Sequence, residues 1–119
     1  MRDFKKYDIW NKSHNFVLEV YRFSSGFPKD EIYGLRSQLR RAASSVATNI
    51  AEGAGRQGDK QFAHFIDIAF ASACESEYLM ILTRDLKYLS DTQYNKLSKM
   101  LIEIKRMLAT FYKRLKFDS

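Results

Sequence analysis

Apolar residues recur at helical spacing along nearly the whole chain and predict four helices. Gly26 and Pro28 end the first helix, and Gly53, Gly55 and Gly58 end the second. The predicted helices span about residues 8–25, 29–54, 59–89 and 91–116. The last helix has the most regular spacing, with steps of three and four residues that predict a coiled-coil-like seam: Tyr94, Leu97, Leu101, Ile104, Leu108, Phe111 and Leu115. No alternating run of β-branched residues predicts a strand. Four helices with short connections in 119 residues predict one domain, an all-α, up-down-up-down antiparallel four-helix bundle.

The second predicted helix carries a polar stripe beside its apolar one, and small residues separate its larger side chains. The polar stripe consists of Gln38, Arg41, Ser45, Asn49, Glu52 and Arg56. Because small residues allow close helix approach and buried polar groups need partners, we expect a polar seam against Ser72 and Glu75 of the third helix. The expected register places Arg41 near Ser72 and predicts an Arg41–Glu75 ion pair. We expect a structural role for the seam, the alternative being that it lines an oligomer channel or a partner site.

The third predicted helix is apolar over more than half of its circumference. Such a helix is either central in its bundle or shared with another subunit. Cys74 lies in its apolar middle and is the only cysteine, so we expect a buried thiol and no disulfide. The chain also lacks an apolar run of the length of a signal peptide or a membrane span. We therefore expect a cytoplasmic protein.

Positive charge is concentrated in the last helix. The chain has a formal net charge of +6, and residues 96–119 account for +5 of it, with seven Lys or Arg and two acidic residues. Lys99, Arg106 and Lys113 fall on the side opposite the leucine seam, with Lys96 and Arg114 beside them. Arg36 and Arg40 of the second helix point away from its core and are expected to extend this surface.

Two interpretations of this basic surface stay open. Cations at one-heptad intervals, about 10.5 Å apart by helical rise, can follow a nucleic-acid backbone without reading its sequence. The other interpretation is a solvated face that keeps the protein soluble. Exposed aromatic residues for base stacking are not evident, which argues against a dedicated single-strand binder.

Other candidate motifs do not predict an enzyme, a cofactor or a metal site. The glycines from Gly53 to Gly58 spell GxGxxG, but a predicted helix precedes them where dinucleotide binding requires a strand. No Glu-x-x-His spacing of a four-helix metal site is present. Ser45, His64 and Asp67 have the residue types of a catalytic triad. Any helical chain this rich in serine would offer such a set, so these residues do not predict a catalytic site.

Several segments together resemble a known family. They are residues 4–10, Phe27-Pro28, the stretch SQLRRAASSVATNIAEGAGR at 37–56, Phe62, Phe65, Ala69 and ASACE at 71–75. This pattern resembles the four-helix-bundle proteins encoded by intervening sequences of bacterial 23S ribosomal RNA genes. Ala71 departs from it, because the family tends to have glycine there. The resemblance implies an up-down bundle that assembles as a homopentameric ring or barrel. It also implies kinship with accessory proteins of diversity-generating retroelements, which engage a reverse transcriptase and nucleic acid.

The function expected from both lines of reasoning is a non-enzymatic, oligomeric helical protein that binds RNA or DNA through backbone electrostatics. The alternative is a protein–protein interaction adaptor whose charge serves only solubility. The resemblance supplies no reaction, because the biochemical role of the family is not established.

Overall fold

The structure, a computed structural model, describes residues 2–117. Its helices are α1 (Asp8–Ser24), α2 (Leu35–Ala54), α3 (Gly58–Asp85) and α4 (Asp91–Phe117). Single 3₁₀ turns at Phe4–Lys6 and Lys29–Glu31 precede α1 and α2. Within residues 2–117 there is no strand. The predicted all-α fold of four helices is confirmed.

The helices form a four-cornered bundle of 46 × 22 × 20 Å. Each helix packs against two neighbours: α1 and α3 each contact α2 and α4. The diagonal pairs, α1 with α3 and α2 with α4, do not contact each other. Ion pairs show that α1 and α4 run antiparallel: Lys12 binds Glu103 near one end, and Glu19 binds Lys96 nearer the other. The largest fully buried side chains come from all four helices and include Phe16, Leu39, Phe62 and Leu101.

The regular spacing of α4 correctly predicts its buried side. Leu97, Leu101, Ile104, Leu108 and Leu115 are buried, and the two aromatic positions of the seam are half-buried. At the carboxyl end of α4 the rings of Tyr7, Phe62 and Phe111 pack together, with centroids 5.1–5.7 Å apart. This aromatic cluster joins the segment before α1 to the start of α3 and the end of α4.

Helix α2 begins at Leu35, later than the predicted residue 29. The 3₁₀ turn after Pro28 stops at Glu31, and Gly34 (φ −107°, ψ −117°) interrupts any continuous helix. The Glu31 carboxylate accepts a hydrogen bond from the Leu35 N–H at 3.1 Å and another from the Tyr88 hydroxyl at 3.2 Å. Glu31 therefore satisfies a free N–H of the first turn of α2 and ties it to the α3–α4 connection.

Helix α3 ends at Asp85, earlier than the predicted residue 89. Lys87 takes a left-handed conformation with φ 68°, and the Tyr88 N–H closes the helix end by donating to the Thr83 carbonyl at 2.8 Å. A left-handed residue after a helix is usually glycine. Because lysine occupies the position here, no residue type in the sequence marks the end of α3.

The outer side of α3 shows that the predicted burial of Cys74 is wrong. Cys74 is exposed, not buried. Tyr78 is 61% exposed, and Ile68 and Ala71 are also exposed. Apolar residues surround most of α3, but the bundle covers only the side with Phe62, Ile66, Ala69, Ala73 and Met80. The sequence pattern therefore could not assign Cys74 to one side of the helix.

Candidate nucleic-acid interface

Three cations form one row on the solvent side of α4. Lys99, Arg106 and Lys113 are all exposed, as the sequence predicts from their position opposite Leu101 and Leu108. We call this row the basic face. Within residues 2–117 none of the three makes an ion pair at 4.0 Å or less. The row is about 21 Å long by helical rise.

Ion pairs to the neighbouring helices lie on both sides of the basic face. Toward α1, Lys96 Nζ lies 3.0 Å from the Glu19 carboxylate and Lys12 Nζ lies 2.7 Å from Glu103. Toward α3, Lys105 Nζ donates to Glu77 at 2.9 Å. Hydrogen bonding by Lys96 is the main cause that lowers the pKa of Glu19, and hydrogen bonding by Lys12 does the same for the pKa of Glu103. Lys96, predicted to contact nucleic acid, is therefore partly neutralised within the bundle.

Arg114 stays available next to the row. It is exposed and makes no ion pair within the described residues. Asp8 of α1 and Arg114 line the same depression between α1 and α4. Arg114 is therefore exposed beside the carboxyl end of the basic face, and its contact with nucleic acid stays a prediction.

Arg36 and Arg40 do not extend the basic face, contrary to expectation. They belong to α2, which lies diagonally opposite α4. Arg40 instead holds the end of α1: its Nε donates to Ser24 Oγ at 2.8 Å, and its Nη2 donates to the Tyr21 carbonyl at 3.0 Å. Its guanidinium also lies over the Tyr21 ring, 4.4 Å from the centroid. Burial is the main cause that lowers the pKa of Arg40.

The polar seam forms only at its centre. Ser45 Oγ and Ser72 Oγ are 2.9 Å apart across α2 and α3, and Asn49 Nδ2 donates to the Ser45 carbonyl at 2.8 Å and to Ser45 Oγ at 3.0 Å. Gln38, Arg41, Glu52 and Glu75 are exposed. The predicted Arg41–Glu75 ion pair is wrong, since no such pair exists within residues 2–117.

The register of α2 on α3 explains this error. Ser72 meets Ser45, one helical turn further along α2 than the predicted Arg41. Helical side chains lean toward the amino end of their own helix. In an antiparallel pair, each side chain therefore meets a residue further toward the carboxyl end of the partner helix than the backbone positions alone indicate. The pairing of Ser72 with Ser45 in place of Arg41 is a shift in this direction. The predicted register used only the distance of each residue from the α2–α3 turn along the backbone and did not include the direction of the side chains.

Neither a metal cluster nor a membrane span is found in the described part of the chain. No group of three or more His, Cys, Asp or Glu residues within 2–117 is placed to hold a metal ion. No helix among these residues is both long enough and apolar enough to cross a membrane. The GxGxxG stretch ends α2 and begins α3, so a helix does precede it.

Comparison with known families decides where the chain belongs. A family model described as 23S rRNA-intervening sequence protein matches residues 5–110. The chain belongs to this family. The resemblance inferred from the α2 stretch and the start of α3 is therefore confirmed. The match to the family model ends at Thr110, so Lys113 and Arg114 lie beyond the matched range.

A solved structure is similar in fold to this intervening-sequence protein. It is a protein of unknown function from the S23 ribosomal protein family of Bacteroides thetaiotaomicron. The two share 25% identity with a TM-score of 0.79, over 88% of this chain and 98% of the other. No curated protein matches the chain.

Proposed function

We propose that this intervening-sequence protein is a non-enzymatic, cytoplasmic, oligomeric bundle that binds RNA or DNA through phosphate contacts of the basic face. The observation that carries the proposal is the exposure of Lys99, Arg106 and Lys113, which make no ion pair among residues 2–117, while Lys12, Lys96 and Lys105 beside them are paired with carboxylates of the bundle. Fixed positive charges in a row attract a polyanion and release its counterions.

The outer side of α3 supports the oligomer. Ile68, Ala71, Cys74 and Tyr78 are exposed on one side of the helix, with Glu75 among them. A surface of this kind is typical of a subunit contact. The family resemblance implies a homopentamer, and in a ring the basic faces of several copies would add their fields.

The alternative function, a protein–protein interaction adaptor, is favoured by the end of the bundle that holds the α1–α2 and α3–α4 connections. Tyr33 is 96% exposed there, Ile32 is 40% exposed, and Leu86 at the same end is 45% exposed. Exposed apolar residues grouped in this way are typical of an interaction surface. The two functions make different predictions for nucleic-acid binding: the first requires phosphate contacts by the basic face, and the adaptor does not.

Fluorescence anisotropy with labelled RNA and duplex DNA at low salt tests the proposal. The test variant replaces Lys99, Arg106 and Lys113 by alanine. The control variant removes the same charge from exposed lysines that form no ion pair within the described residues: Lys6→Ala, Lys29→Ala and Lys60→Ala. Light scattering checks that all three proteins have the same native mass.

We expect the parent and the control variant to bind, and the test variant to lose most of the affinity. Equal losses in the two variants would mean that only net charge matters, and the basic face would then not be the interface. Absence of binding by the parent at low salt would overturn the proposal and leave the adaptor.

A further inference from the structure

A pocket opens between the first turn of α1 and the carboxyl half of α4. Its volume is about 380 Å³, within the range of roughly 300–1,000 Å³ common for small-ligand sites. The lining residues are Tyr7, Asp8, Ile9, Arg106, Met107, Thr110, Phe111 and Arg114. The sequence did not predict this pocket, because Tyr7 and Phe111 are about a hundred residues apart and Phe111 was assigned to the core seam of the last helix.

The wall of the pocket is largely apolar and aromatic. Tyr7, Met107 and Phe111 are half-buried, and Ile9 is buried. The rings of Tyr7 and Phe111 lie 5.5 Å apart at an angle of 37°. Phe62 packs edge-on against both rings, at 5.7 and 5.1 Å, and so restrains them. Two rings held in this way offer a preformed surface for a flat aromatic group.

Two arginines of α4 lie at the rim of the pocket and outnumber its one carboxylate, Asp8. Arg106 and Arg114 are the first and the last α4 residues of the lining, about 12 Å apart by helical rise. Both are exposed, and neither makes an ion pair within the described residues. Arg106 also belongs to the basic face. A strand that follows the basic face therefore passes the mouth of the pocket.

We propose that this pocket holds an unpaired nucleobase of a strand bound along the basic face, with the flanking phosphates at Arg106 and Arg114. This inference rests on the proposed function and deepens it, because it names single-stranded or bulged nucleic acid as the ligand. An apolar aromatic wall between two guanidinium groups matches a nucleotide, which has a flat base and anionic phosphates on both sides. The exposed carboxylate of Asp8 adds one acceptor for an amino group of the base.

The pocket also changes an expectation from the sequence. The lack of evident exposed aromatics argued against a single-strand binder. In the structure the half-buried rings of Tyr7 and Phe111 reach the surface at the pocket and supply a stacking site. Bases in a continuous duplex are already paired and stacked, so a duplex would contact only the cations.

A filled-pocket variant tests the inference without changing charge. Thr110 lines the pocket and is exposed, so Thr110→Trp would occupy the space of the base. Ala109→Trp is the matched control, because Ala109 is exposed on the same turn but does not line the pocket. Both variants are compared with the parent by anisotropy, on an unstructured single-stranded RNA and on a duplex of the same length. Helicity and native mass are checked for each.

We expect Thr110→Trp to weaken single-strand binding about tenfold and to leave duplex binding and the salt slope unchanged, while Ala109→Trp changes neither. Equal single-strand affinities of the two variants would overturn the base pocket, although duplex binding that depends on Lys99 would still support the phosphate contacts. If the parent binds neither nucleic acid at low salt, the proposed function fails and the base pocket fails with it.

A second measurement uses the parent protein alone, so that it does not depend on the folding of a variant. Single-stranded RNA containing 5-iodouridine is irradiated with the protein, and the crosslinked residues are identified by mass spectrometry. Crosslinks to Tyr7 or Phe111 are expected. Crosslinks confined to residues outside the pocket would overturn the inference.

Discussion

Ser45 Oγ and Ser72 Oγ lie 2.9 Å apart, joining α2 to α3 at the centre of their contact. Each hydroxyl is half-buried, and Ser45 also accepts a hydrogen bond from Asn49. Because α2 and α3 form the most extensive helix pair of the bundle, this hydrogen bond lies where a shift of one turn would displace the largest contact. Ser45 and Ser72 therefore have a structural role in pairing these helices.

Alanine at these two serines should show that the hydroxyls act as a pair. We expect Ser45→Ala and Ser72→Ala each to lower the free energy of unfolding by about 0.5–1.5 kcal/mol. The double variant should lose less than the two single losses combined, by about 0.5–1 kcal/mol. Urea unfolding of the parent, the two single variants and the double variant, all at the same protein concentration, measures this coupling energy. Strictly additive losses would mean that the hydroxyls are bonded to water and not to each other.

Gly53 should not tolerate a side chain, because Phe62 and Phe65 of α3 lie directly against its Cα. A Cβ at Gly53 would lie 2.8 Å from both Phe62 Cδ1 and Phe65 Cβ. We expect the overpacking in Gly53→Ala to cost about 1–3 kcal/mol, against the roughly 0.5–1 kcal/mol that alanine gains over glycine in a helix, so that the variant is less stable than the parent.

Gly55→Ala is the matched control for Gly53→Ala. Gly55 has a helical φ of −82°, and the nearest atom to its Cβ would be a carbonyl oxygen 3.5 Å away. We expect unchanged stability or a gain of up to about 1 kcal/mol. Urea unfolding of both variants provides the comparison. Equal stability of the two would contradict the close approach at Gly53.

Arg40 should affect stability and not nucleic-acid binding. Arg40→Lys keeps the charge but cannot reproduce the planar set of donors that reaches Ser24 Oγ and the Tyr21 carbonyl. We expect a loss of about 1–2 kcal/mol in the free energy of unfolding, with the RNA affinity unchanged. Thermal unfolding and anisotropy measure the two effects. A fall in RNA affinity without loss of stability would return Arg40 to the interface.

Glu19 should make stability sensitive to acid. Its pKa is lowered from the ordinary 4.5, first by the hydrogen bond from Lys96. The stabilisation is therefore complete above about pH 4.5 and is lost as the pH falls through the lowered pKa of the folded state. Glu19→Gln should unfold at a lower temperature than the parent at pH 6, with the difference shrinking toward pH 3. A difference that stays constant over this range would exclude the Glu19 carboxylate as its source.

The sequence correctly predicts which side of a helix is buried where its apolar residues repeat regularly and face one core. The leucine seam of α4 and the outward position of Lys99, Arg106 and Lys113 follow directly from steps of three and four residues. Gly26 and Pro28 correctly predicted the end of α1 to within one residue.

Other features depend on three-dimensional relations that no local pattern records. The start of α2 depends on the backbone angles of Gly34, and the end of α3 depends on a left-handed lysine. The Ser45–Ser72 contact depends on the lean of side chains along two helices. The pocket beside Arg106 brings together residues from the two ends of the chain, so a reading in sequence order could not find it.

The salt dependence of nucleic-acid binding tests the central claim most directly. The logarithm of the association constant is measured against the logarithm of salt concentration for the parent and for the Lys99→Ala, Arg106→Ala, Lys113→Ala variant. If each side chain contacts one phosphate, the slope on duplex DNA should become shallower by about 2.7 for each protomer engaged, and by about 2 on a single strand. Identical slopes for the two proteins would contradict phosphate contact by the basic face.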